Sequence, residues 1–210
     1  MDIVWLGHSC FRLRGSTATV VTDPYASSLG LDLPSLTSSL VTVSNEHPHH
    51  NNWQAVQGEP YVIRGPGEFE VSQVFVTGVE TSTGQGPDSG VNSIYLIQMD
   101  DLSLCHLGDL SHPLSASQIE VLSEADVLFV PTGGGCTQPL TQLAETINRL
   151  GPRIIIPMHY RTEGVQVSLD PLDGFLEELG VKAPQTQSRL SVTATSLPPE
   201  PKVIILDRTV

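Results

Sequence analysis

Short apolar runs separated by turn residues dominate the first half of the chain. Residues 3–6, 10–13 and 19–22 are mainly apolar or β-branched and are broken by Gly7-His8-Ser9 and Arg14-Gly15-Ser16, a strand–turn–strand spacing that predicts a β meander. Asp23-Pro24 stops the third strand, a loop rich in Ser, Leu and Gly runs to about residue 39, and 40–43 is another β-branched run. That run ends abruptly in Ser44-Asn45-Glu46-His47-Pro48-His49-His50-Asn51-Asn52, too polar for a core and expected as a loop at a strand's C-terminal end. A short helix is expected over 52–57. Strands follow over 60–63 and 74–79 with the turn Gly65-Pro66-Gly67 between them, then a hairpin of 92–99 and 102–106 across Asp100-Asp101.

The second half changes period. Ser115 and Gln118 form a capping-box pattern ahead of Ile119, Val121 and Leu122, predicting a helix over about 115–124. Residues 139–150 read as a second amphipathic helix ended by Gly151-Pro152, and a third runs from about 170, with Pro171 in its first turn, to Leu179 before Gly180. Between them 126–131 and 153–157 are short apolar strands, and 202–206 is a last strand behind the Pro-rich stretch 197–201. Apolar strands alternating with helices need cover on both sheet faces, so the expected class is α/β (α+β) with two sheets, as one domain over 1–210.

Composition acts by exclusion. Hydrophobic residues at 39% and charged residues at 16% are those of an ordinary globular chain rather than a disordered one. Ten Lys+Arg against 23 Asp+Glu leave a formal charge of −13. Such a field repels phosphate backbones and anionic membranes, so nucleic acid and membrane are not expected partners and a small molecule is. One local pocket can still take an anion. No window reaches the roughly 18 apolar residues of a membrane span, and no basic leader precedes an apolar stretch. Cys10, Cys105 and Cys136 lack metal-finger spacing, which suits a reducing compartment and a cytoplasmic protein. Oligomeric state is not fixed by these features.

The seven histidines are not scattered. His8, His47, His49, His50, His106 and His159 fall at predicted strand ends; His112 lies elsewhere, beside Pro113. A rigid sheet can bring such positions together, and neutral imidazole is a common ligand for zinc, iron or copper. A single strand-end histidine, or the turn aspartate in Leu107-Gly108-Asp109-Leu110, ordinarily caps a loop. Three histidines within four residues are different, because clustered imidazoles are unfavourable unless a cation uses their lone pairs. Two rival chemistries are weaker. Cys10 or Cys136 could be a nucleophile, but Cys10 opens an apolar strand as a small hydrophobe would. Gly133–Gly135 lacks the Lys-Ser/Thr of a phosphate loop and reads as a tight strand-to-helix turn.

The motifs Trp5-Leu6-Gly7-His8-Ser9-Cys10, Thr22-Asp23-Pro24-Tyr25, the cluster 44–52, Gly65-Pro66-Gly67-Glu68, His106-Leu107-Gly108-Asp109 and Pro157-Met158-His159-Tyr160 resemble, in that order, the metallo-β-lactamase-fold hydrolases. The resemblance is to the small metal-dependent hydrolase branch akin to the ascorbate-phosphate lactonases, and it covers roughly residues 1–165. It implies a four-layer αββα sandwich with metal ligands along one edge. Members usually read Ser-His-x-His-x-Asp-His at the first cluster; here His47, His50, Asp109 and His159 match, Asn45 replaces the first histidine, His49 replaces the aspartate, and a later ligand position falls at Thr83.

The resemblance therefore implies a partly lost dinuclear site. An amide and a hydroxyl are weak ligands, so the first position is expected empty or very weak. The second keeps His49, His50, Asp109 and His159 for one divalent transition metal, zinc foremost with manganese or iron as alternatives, or none at all. With an open position the ion would lower the pKa of a bound water from about 15.7 towards 7 and create a hydroxide nucleophile for an ester, lactone or phosphoester. Asp109 would orient it, and His47 and His8 would transfer protons or hydrogen-bond an anionic group. Four direct ligands would instead close a tetrahedron, as in a structural site. The competing expectation is a catalytically inactive relative retained for ligand binding or assembly.

Overall fold

The computed structural model of the chain describes residues 1–83, 90–134 and 137–209. Six strands form the first sheet, in the order Leu190–Ser191, Asp2–Gly7, Cys10–Arg14, Thr19–Thr22, Leu40–Val43, Tyr61–Arg64. The opening meander is antiparallel, and pairing turns parallel from Thr19–Thr22 onward. The second sheet has eight strands, ordered Gln185–Gln187, Lys202–Leu206, Ile154–Met158, Val127–Pro131, Leu102–His106, Val91–Met99, Val74–Ser82, Gly67–Val71. It is parallel as far as Leu102–His106 and antiparallel beyond.

Strand alternation builds the layers. Phe11, Leu13 and Val20 of the first sheet meet Tyr95, Ile97, Phe129 and Ile156 of the second in the central core. Their chain neighbours Leu96, Leu128, Val130 and Ile155 point the other way, onto Leu122, Leu143, Ile147 and Phe175. Those last four belong to α1 (Ala116–Leu122), α2 (Leu140–Leu150) and α3 (Asp173–Glu178), which cover the second sheet. Ser115 and Gln118 make the reciprocal capping box expected of them, and Gly151 ends α2 in the left-handed region at φ 63°. The protein is thus the expected α/β sandwich of two mixed sheets.

Three expectations need correction. Over the outer face of the first sheet, Val4, Leu6, Val21 and Val41 are covered by Tyr25, Leu29, Leu31 and Val56 rather than by an α-helix. The covering segment carries Pro24, Gly30 and Pro34, and it manages only a 3-10 turn at Ser27–Leu29. The helix expected over 52–57 is a 3-10 turn, Trp53–Ala55, after which Val56–Gln57 is extended and pairs with Leu36–Thr37. Finally, α3 starts at Asp173, so Pro171 lies ahead of its first turn. Among the described residues no helix is long and apolar enough to cross a membrane.

Candidate metal centre

Four strands of the sandwich end at one rim. His8 follows Asp2–Gly7, and His50 lies in the loop after Leu40–Val43, both in the first sheet. Asp109 follows Leu102–His106 and His159 follows Ile154–Met158, both in the second. All four side chains are buried. The backbones of His8 and His159 are in the left-handed region, at φ 53° and 54°, strain of about 1–3 kcal/mol per non-glycine residue that surrounding contacts must offset. One such contact joins the sheets: the His159 N–H donates to the His8 carbonyl at 3.1 Å, and Trp5 Nε1–H donates to the same oxygen at 2.9 Å. The two rings face each other with centroids 4.1 Å apart.

Ring nitrogens of His8, His50 and His159 all lie within 4.8 Å of one another. Asp109 completes the group, with Oδ2 3.1 Å from His50 Nε2 and Oδ1 3.1 Å from His159 Nε2. Yet Asp109 Oδ1 is buried without a hydrogen bond, as are His8 Nδ1 and His159 Nδ1. The His159 contact is therefore close but not aligned as a donor to an acceptor. Zinc–ligand bonds of 2.0–2.2 Å place neighbouring donors about 3.3 Å apart in a tetrahedron and about 3 Å apart in an octahedron. The 3.1 Å separation of Asp109 Oδ1 and His159 Nε2 matches ligands sharing an ion, so the residues present fit a transition metal.

Outer contacts orient the group. Asp23, fully buried, accepts the Ser44 N–H at 2.7 Å on Oδ1, and on Oδ2 both Ser44 Oγ–H at 2.6 Å and His50 Nδ1–H at 2.8 Å. With its proton committed at Nδ1, His50 turns Nε2 toward Asp109, the carboxylate–histidine arrangement found behind metal ligands. Asp109 is placed by Asn92, whose Oδ1 accepts the Asp109 N–H at 2.8 Å. Gly108 precedes it at φ 57°, and a Cβ there would lie 2.3 Å from that same Asn92 oxygen.

Electrostatics sort the imidazoles. Burial lowers the pKa of His8 well below its ordinary value, helped by the neighbouring His159 and His50. For His159 burial outweighs the pull of Asp109, and the net shift is also downward. Burial acts on His50 too, but Asp109 and Asp23 on either side overcome it and push His50 up to about 10. Asp109 is held well below the usual carboxylate range: burial opposes its charge, and His50 and His159 outweigh the burial.

A model of the beta-lactamase superfamily domain matches residues 2–159. The chain belongs to the metallo-β-lactamase superfamily. Within it the UPF0173 family is shown by a UPF0173 protein of Pyrococcus furiosus, 31% identical over 184 residues, covering 77% of this chain and 84% of the relative. A UPF0173 metal-dependent hydrolase of Methanoculleus marisnigri is 28% identical over 184 residues, covering 77% of this chain and 82% of the relative. The crystal structure of a candidate Zn-dependent hydrolase of the same superfamily from Thermotoga maritima superposes with a TM-score of 0.81 at 35% identity, covering 98% of this chain and 97% of that one.

Against the usual ligand pattern of a metallo-β-lactamase-fold protein, this chain brings His50, Asp109 and His159 together and adds His8. His49 stands aside, half-buried, its ring centroid 5.9 Å from that of His8 and 4.5 Å from that of His47. The turn decides this, because the N–H groups of His50 and Asn51 both donate to the His47 carbonyl and successive side chains diverge. His47 is exposed, and its Nδ1 accepts the His49 N–H at 3.3 Å. Asn45 uses both ends of its amide: Nδ2 donates to Asp109 Oδ2 at 3.2 Å and Oδ1 accepts the His47 N–H at 3.0 Å. His47, His49, Asn45 and Thr83 line a cavity of about 340 Å³ over the buried group, walled on one side by Val167 and Leu169.

His106 is structural. Its Nε2–H donates to the Ser9 carbonyl at 2.9 Å and its Nδ1 accepts the Gly108 N–H at 3.3 Å, which leaves no lone pair for an ion. His112 Nδ1 sits 2.8 Å from Ser111 Oγ, away from the cluster. Burial, with the charge of Asp23, raises the Cys10 thiol well above its ordinary range, and burial alone raises Cys105, the opposite of an activated nucleophile. Gly133 belongs to packing: a Cβ there would lie 2.1 Å from the His159 carbonyl. Gly135, Cys136 and residues 84–89 lie outside the described residues. Asp23 is the functional side chain that strand-stop logic alone overlooks; its signal is an ionisable residue directly after an apolar strand.

Proposed function

We propose that this chain is a metal-dependent hydrolase holding at most one divalent transition ion, zinc foremost, through His50, Asp109 and His159 with His8 as the fourth group, and acting on an ester, lactone or phosphoester. The observation that carries this reading is the unaligned 3.1 Å approach of Asp109 Oδ1 to His159 Nε2 in a buried cluster of imidazoles. A bound ion would supply Lewis acidity and an activated water at neutral pH. Asp109 bridges His50 and His159 and fixes the donor set; Asp23 keeps the His50 proton on Nδ1. Asn45, hydrogen-bonded at both ends of its amide, and the weakly coordinating Thr83 speak against a second ion.

At the cavity floor His8, unlike His50 and His159, is not paired with Asp109, and its Nδ1 has no partner, so moving it aside would open a coordination position in a tetrahedral set. His49 lines the cavity, and burial lowers its pKa, leaving it neutral at pH 7 and able to accept a proton from an attacking water. The proton taken by His49 would pass through His47, whose ring centroid lies 4.5 Å away, to the leaving oxygen. The likeness of the motifs to the ascorbate-phosphate lactonases puts lactones first among the esters. A second reading, a relative kept for ligand binding or assembly, draws support from the same four groups, which would close a tetrahedral ion completely.

Metal content after purification without added metal, followed by chelator-sensitive hydrolysis of a generic ester and a phosphodiester, tests the proposal. One ion per chain with activity that the chelator abolishes is expected. Absence of hydrolysis with saturating zinc and with saturating manganese would favour the binding reading, and two tightly held ions would overturn the single-ion assignment.

A further inference from the structure

The cavity above the metal group is notable for the charge it lacks. None of the ten Lys and Arg residues lines it. Arg64, on the strand nearest the 44–52 loop in the first sheet, is committed to Glu46 through Nε and Nη2. Arg208 faces a different cavity, beside Trp5 and Tyr160. Residues 84–89 and 135–136 contain no Lys or Arg. Apart from the imidazoles of His47 and His49, the polar lining above the buried group is neutral: Asn45, Thr83 and Ser168. Val167 and Leu169 supply an apolar wall, Val167 packing partly under the first sheet's outer layer.

The charge of a dication would be balanced within the group, leaving only its open position to attract an anion. Ligating imidazoles are neutral, so its two charges are matched by Asp109 and by Asp23, which is hydrogen-bonded to His50. Sites that take phosphate or carboxylate add Arg or Lys donors beside the ion, because such groups need charge-assisted hydrogen bonds on their remaining oxygens. The volume, about 340 Å³, is at the small end of ligand cavities, which run from about 300 to 1,000 Å³.

We infer that the site takes a small uncharged acyl compound, a lactone or carboxylic ester whose hydrocarbon portion lies on Val167 and Leu169, and discriminates against phosphoesters and free carboxylates. This rests on the hydrolase reading above and narrows it. In the reaction, water adds to the carbonyl carbon, the acyl–oxygen bond breaks, the alkoxide leaving oxygen takes a proton, and the carboxylic acid produced ionises. Its anion is then the species this cavity holds least well, so product release is favoured.

Three non-hydrolysable probes test it without turnover: ε-caprolactam as the uncharged ring, hexanoate as the carboxylate, and inorganic phosphate. Binding is measured by calorimetry and saturation-transfer NMR on zinc-loaded and on metal-free protein. Caprolactam should bind about tenfold more tightly than either anion in both forms. Ser168→Arg, at an exposed cavity position, should raise phosphate affinity by about tenfold through one new charge-assisted contact. Equal or tighter binding of phosphate or hexanoate, binding of none of the three, or no gain in Ser168→Arg would each overturn the inference. Failure to take up zinc at all would instead overturn the preceding proposal, while the preference measured on metal-free protein still decides this one.

Discussion

Asp23→Asn is the sharpest perturbation of the centre, because it changes one charge while conserving shape. In the parent, both carboxylate oxygens only accept: Oδ1 from the Ser44 N–H, Oδ2 from Ser44 Oγ–H and His50 Nδ1–H. An asparagine has one accepting oxygen. Turned toward the Ser44 N–H, it sets its NH₂ against His50 Nδ1, and His50 must move its proton to Nε2, the atom 3.1 Å from Asp109. Turned the other way, it sets NH₂ against the Ser44 N–H and strands a buried donor, at a cost of about 1–3 kcal/mol. Either outcome weakens the set. Loss of such a supporting carboxylate lowers metal affinity about 10- to 100-fold, roughly 1.4–2.7 kcal/mol. Competition against a chromophoric chelator measures this, with circular dichroism confirming that the variant remains folded. A folded Asp23→Asn protein that binds zinc within about twofold of the parent would refute the tautomer reasoning.

Four further outcomes are expected. Replacing Asn45 and Thr83 together by His should raise metal content above one per chain by elemental analysis; no gain would mean that the first position is obstructed. Because His50 sits near 10 in the metal-free protein, ion uptake at pH 7 should expel about one proton, and apparent affinity should rise about tenfold per pH unit below 10. Calorimetry in buffers of different ionisation enthalpy counts that proton, and a count of zero contradicts the assignment. The same shift makes metal-free stability complete below His50's ordinary 6.5 and progressively lost as pH rises through about 10, which thermal melts across that window would reveal. Gly108→Ala forces a Cβ within 2.3 Å of Asn92 Oδ1 at φ 57°. It should destabilise by about 1–3 kcal/mol and lower metal occupancy, and a variant with parental melting and parental zinc would show that Asp109 is placed by something else.

Most of the sandwich was legible because its buried strands are wholly apolar. Residues 127–130 and 154–156 contribute alternately to the two cores, so the run itself signals cover on both faces. Edge strands other than Tyr61–Arg64 were not legible. Gly67–Val71 carries exposed Glu68 and Glu70, Gln185–Gln187 is polar, and both border solvent where hydrophobic pattern is weak. The rim was legible as histidines at strand ends. Which of them converge was not, because His49 and His50 are neighbours in sequence while His8 is 42 residues away from His50 and reaches it only through the pairing of strands. Sequence proximity favoured His49; the turn at 47–51 points it away. Asp23 read as a strand stop because its partner, Ser44, lies beyond a loop whose course cannot be derived locally.

The four central side chains are shared evenly, His8 and His50 from one sheet, Asp109 and His159 from the other. A cation gripped there would act as a rivet between two leaves. Loss of that cation would leave the His159 N–H to His8 carbonyl hydrogen bond to hold the leaves at this rim, so metal removal should loosen one end of the sandwich while the far end stays closed.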